Sequence, residues 1–97
     1  MLHILKVEVA HGSDRHDISL FKANLPTVFD LMEELEKKTR VPKSHQQIIY
    51  KGQKLSQTPT QPLSKFGIFN GNRILLVGEK VGFFDFFREF FYIFFKS

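Results

Sequence analysis

Val41-Pro42-Lys43-Ser44-His45-Gln46-Gln47-Ile48-Ile49-Tyr50-Lys51-Gly52-Gln53-Lys54-Leu55 is the stretch from which the fold is read. Pro42 lacks a backbone donor and disfavours helical geometry at Val41, so a helix arriving from the N-terminal side stops there. Gln46 to Lys51 then reads as a strand closed by Gly52. Side chains alternate along a strand, so Ile48 and Tyr50 share one face and Ile49 takes the other.

Upstream, Val28, Leu31, Met32 and Leu35 fall at i, i+3, i+4 and i+7, the apolar stripe of a helix. Thr27 is its N-cap candidate. Asp30, Glu33 and Glu34 precede Lys37, Lys38 and Arg40, a gradient that complements the helix dipole. Further upstream, His3 to Val9 and Arg15 to Phe21 each alternate apolar and polar residues around a Gly12-bearing loop, Ala10 to Asp14. That pattern predicts a β-hairpin. Downstream, Gln53 to Gln61 reads as a polar loop, and Pro62 to Ile68 as a helical turn with a compact linker. Asn70-Gly71 is a turn signal, Arg73 to Val77 a last strand, and Gly78 its end.

Composition narrows the function. The chain has 97 residues, room for one small core. The net charge of +4 comes without a basic run longer than Lys37-Lys38, which argues against nucleic-acid binding. The absence of cysteine excludes disulfides and thiolate metal sites and fits a cytoplasmic or nuclear location. Met1 to Lys6 lacks the pattern of a secretory signal, and no stretch reaches the ~18 apolar residues a membrane helix needs.

No catalytic constellation is visible. His11, Asp14, His16 and Asp17 cluster near one loop, and a polar, solvated turn accounts for them. Glu33, Glu34 and Glu36 lie on the polar side of the helix, where i, i+4 spacing predicts ion pairs with Lys37 and Lys38. The six glycines are scattered at turns rather than gathered into a phosphate loop. The expectation is a protein that is not an enzyme, with no cofactor and no metal.

In order and spacing, the stretch from Val41 to Leu55, followed by Pro62-Leu63-Ser64, Gly67-Ile68 and Asn70-Gly71, resembles a ubiquitin-like domain. The resemblance implies an α+β, β-grasp fold: a mixed sheet with one main helix, over residues 1–81. Arg15-His16-Asp17-Ile18, Gly71 with Arg73, and Leu76 with Gly78 and Lys80 are further similar to the ubiquitin-like domain of the BAG-family chaperone regulators. This implies a co-chaperone module that docks on the proteasome or on ubiquitin receptors. The heat-shock chaperone would be bound only in a longer form with a BAG domain. Conjugated modifiers end in Gly-Gly, whereas here bulky aromatics follow Gly82, so conjugation is not expected.

Strand parity yields a surface. With Ile48, Tyr50, Ile74 and Leu76 facing the core, Ile49, Leu75 and Val77 face outward, rimmed by Gln47, Lys51 and Arg73. Rimmed apolar patches mark protein interfaces. The resemblance points the same way, since Ile49 and Val77 fall on the patch that ubiquitin-like domains offer to receptors. The competing expectation is that the patch is covered, the Phe-rich tail being one candidate cover.

Eight of the 12 phenylalanines lie in residues 82–97. On a helical wheel they occupy roughly half the circumference. Three readings of this segment, helical or disordered, stand side by side. It is an amphipathic helix for a membrane or a partner, a cover for the body, or the product of splicing or read-through into T-rich codons. The first makes the alternative function a membrane-associated ubiquitin-like protein anchored by its tail.

Overall fold

The computed structural model describes residues 2–78; the Phe-rich segment 82–97 and every reading attached to it lie outside the described residues. Five strands and one helix follow in the order β1 (His3–His11), β2 (Asp14–Lys22), α1 (Val28–Thr39), β3 (Gln47–Tyr50), β4 (Gln53–Lys54) and β5 (Arg73–Val77). Two single-turn helices, Lys43–His45 and Leu63–Phe66, sit in the connections.

The sheet order is β2-β1-β5-β3-β4. β1 and β5 run parallel at its centre, and the other neighbours are antiparallel. Inward-facing Val7, Val9, Ile18, Leu20, Ile48, Ile74 and Leu76 are buried, as are Val28, Leu31 and Leu35 from the stripe of α1. One face of the sheet and one stripe of the helix thus close a single core. This is the β-grasp arrangement.

The helix begins as its residues require. The Thr27 hydroxyl accepts from the Asp30 backbone N–H at 3.2 Å, and the Asp30 carboxylate accepts from the Thr27 N–H at 3.0 Å. This reciprocal box satisfies donors that the first turn leaves open. Arg40, at φ 62°, caps the other end, and its N–H donates to the Glu36 carbonyl.

Several expectations need correction. The hairpin turn is tighter than Ala10 to Asp14: the ladder continues to the His11–Asp14 pair, leaving Gly12 and Ser13 as the turn. β3 begins at Gln47, not Gln46. The Gln46 side chain is buried and donates to the carbonyls of Met32 (2.9 Å) and Val41 (3.0 Å). The stretch from Gln53 to Gln61 is not all loop. Lys51 and Gly52, both at positive φ, form a two-residue turn into β4, and the Leu55 N–H extends the pairing to the Ile48 carbonyl at 2.8 Å. Nor do the helix carboxylates pair with Lys37 and Lys38. Among the described residues Asp30 pairs with Lys22 and Glu33 with Lys43, while Glu36 accepts from the Lys43 backbone N–H. Tertiary neighbours outcompete the weak i, i+4 preference.

A candidate protein-interaction surface

On the outer face of the sheet the register sets side chains in a row. Arg15 stands opposite Ala10, Ala10 opposite Leu75, Leu75 opposite Ile49, and Ile49 opposite Lys54. One step further along β5, Val77 stands opposite Gln47. Leu75 and Val77 are each 44% exposed, whereas their strand neighbours Ile74 and Leu76 are sealed in the core. Ile49 is half-buried, wedged between Leu75 and Lys54. An apolar side chain held in water by a rigid central strand gains nothing for folding, and contiguous exposed apolar area is the signature of a contact surface.

Of the rim residues, Gln47 and Arg73 are exposed and adjoin the patch. Lys51 does not simply flank it. Its place in the left-handed turn swings the ammonium over the ring of Tyr50, 5.4 Å from the centroid. Two neighbours escaped the sequence reading. Ala10 adjoins Leu75 only because β1 and β5 run parallel, and Lys54 adjoins Ile49 only because β4 exists. Neither pairing has a local signal.

The electrostatics centre on Glu8. Its carboxylate accepts from the Arg15 guanidinium at 2.9 Å and lies 3.5 Å from Arg73. The hydrogen bond from Arg15, aided by the charge of Arg73 and partly opposed by desolvation, holds the Glu8 carboxyl below its usual pKa. One carboxylate thus lies between two exposed arginines beside the patch.

The loop histidines do not converge. His11 Nε2 lies 2.6 Å from the Gly78 carbonyl oxygen, which ties the hairpin to the end of β5. Asp17 lies on the opposite face, beside Glu8. Among the described residues no group of three or more His, Cys, Asp or Glu side chains is arranged to hold a metal ion. Among the same residues no helix is long and apolar enough to cross a membrane.

Comparison with known proteins matches this geometry. The mouse protein "BAG family molecular chaperone regulator 1" is 39% identical over 79 residues, which cover 78% of this chain. The chain spans only 22% of that relative's length. The solved ubiquitin-like domain of Plasmodium falciparum Dsk2 superposes with a TM-score of 0.65 at 23% identity, covering 79% of this chain and 100% of that one. A chain of the crystal structure of ATBAG1 in complex with HSP70 gives a TM-score of 0.68 at 18% identity, covering 92% of this chain and 48% of that one. The model of the ubiquitin family matches residues 5–81, and on that match, with the β-grasp sheet and the similarity to a BAG regulator, the chain belongs to the ubiquitin family.

Proposed function

We propose that this chain is a non-catalytic interaction module of a BAG-type co-chaperone, linking a chaperone system to the proteasome or to ubiquitin receptors in the cytoplasm or nucleus. The observation that carries the reading is the outward-facing cluster of exposed Leu75 and Val77 with half-buried Ile49 across β3 and β5. A receptor would cover the apolar centre and meet Gln47, Arg73 and Lys54 at the rim, with Lys51 reaching it only by leaving the Tyr50 ring. The 39% identity to a mouse chaperone regulator supports the co-chaperone context. In this reading residues 1–81 are the module, and contact with a heat-shock chaperone belongs to a longer form carrying a BAG domain.

The test is capture of purified proteasome on the immobilised chain, compared with a Leu75→Arg variant. The reading expects capture by the parent and its loss in the variant. Equal capture by both would remove the patch from the account, and no capture by either would remove the proteasome.

A further inference from the structure

The outer face of the sheet carries a second apolar region at its other pole. Ile4 stands opposite Phe21 across the β1–β2 ladder, and they are 50% and 54% exposed. Below them Leu25 (52%) and Phe69 (60%) flank a hollow of about 180 Å³, whose floor includes the buried Leu63 and Ile68. These side chains are more exposed than Leu75 or Val77. The two regions are separate. From Ile4 to Ala10, the strand covers roughly 20 Å at ~3.3 Å per residue. The outer side chains between them are Lys6 and Glu8, with Ser19 and Asp17 alongside on β2.

Size and charge select an occupant. Apolar cavities of about 150 Å³ hold a benzene-sized molecule, so this hollow accepts one aromatic or branched side chain and is too small for a whole cofactor. No carboxylate lines it. Its surroundings are basic: Lys6 is the next outward side chain after Ile4 on β1, and its backbone N–H donates to Asn70 beside Phe69. Lys65 follows Ser64 of the lining. The nearby carboxylate, Asp30, is already engaged by Lys22 and by the helix cap. With Lys6 and Lys65 beside it and no carboxylate in its lining, the hollow favours an acidic partner through electrostatic steering.

We propose that this pole is a second docking site, which takes one phenylalanine or leucine side chain carried by an acidic segment of a partner protein. It is independent of the Ile49 surface, so one domain would engage two partners at opposite ends of the sheet.

The probe is a synthetic peptide, Glu-Glu-Asp-Leu-Phe-Asp-Glu-Glu, titrated into the intact 15N-labelled chain, with a second peptide in which alanines replace Leu-Phe. The expected result is a set of amide shifts confined to Ile4, Phe21, Leu25, Ser64 and Phe69. Phe69→Ala and Leu25→Ala should each weaken binding about tenfold or more while the amide spectrum stays dispersed. Lys65→Glu should weaken it in a salt-dependent way. The proposal is overturned by shifts centred on Ile49 and Leu75, by equal binding of the alanine peptide, by indifference to the Phe69 substitution, or by no shift up to about 1 mM peptide.

Discussion

Ile49 and Leu75 face each other across the β3–β5 ladder on the side of the sheet turned away from α1. Their immediate neighbours, Ile48 and Leu76, are opposed on the inner side and fully buried. Two adjacent hydrophobic pairs on the same strands therefore stand in different surroundings. One is held in place by the core, and the other is presented to solvent by it.

That contrast is measurable. Ile74→Ala should cost about 2–5 kcal/mol of unfolding free energy, because it opens a cavity under the helix. Leu75→Ser, one residue later, should change stability by no more than about 0.5 kcal/mol. Urea unfolding of the two variants beside the parent gives both numbers.

Gln46 is the polar residue on which the turn after the helix depends. Its amide reaches the carbonyls of Met32 and Val41 inside the core. Gln46→Leu keeps the volume but strips both carbonyls of a donor, so a loss of about 1–3 kcal/mol is expected. Denaturant midpoints at unchanged m-value check it.

Much of the architecture was legible because strand parity and helical periodicity are local signals. The alternation of Ile48, Ile49 and Tyr50 assigned inward and outward faces, and the capping residue Thr27 was visible from its position. Gln46 reads as a strand residue in the sequence because its burial depends on carbonyls brought to it by the fold. β4 has no signal in the sequence because Gln53 and Lys54 carry no apolar alternation; only the turn geometry of Lys51-Gly52 and the partner strand create it. The ion pairs of the helix are hidden for the same reason, since Lys22 and Lys43 reach it only in three dimensions. The patch was legible as three outward side chains, but Ala10 and Lys54 enter it through strand neighbours that a single sequence does not announce.

Glu8 should give the domain a defined acid response. Its pKa in the folded chain is lowered by Arg15 and then Arg73. A depressed carboxylate contributes stability that is present above its unfolded pKa, about 4.3, and is lost as pH falls through the lower folded value. The stability gap between parent and Glu8→Gln should thus be constant at neutral pH and shrink through the acid range. Arg15→Ala should shift the Glu8 carboxyl titration upward, followed by 13C NMR.

Gly78 closes β5 against the Lys43–His45 turn. A Cβ there would lie 2.6 Å from the His45 carbonyl oxygen and 3.0 Å from Val41 Cγ1. Backbone cannot yield as a flexible side chain does, so Gly78→Ala should destabilise by about 1–3 kcal/mol. Gly52→Ala, with open space at its Cβ, meets only the strain of its positive φ and should cost about 1–2 kcal/mol. Thermal unfolding compares the two variants, and perturbed amides at Val41 and His45 in Gly78→Ala would locate the cause.

The central claim is that the outer row of β3 and β5 is a binding surface rather than an incidental exposure. Its most direct test is the affinity of the intact chain for purified proteasome, measured for the parent and for Ile49→Ala with melting temperatures in parallel. The account predicts an affinity loss of about tenfold or more, with Tm lowered by no more than about 8 °C, the shift that ~1 kcal/mol produces in a domain of this size. Unchanged affinity in the folded variant would contradict it.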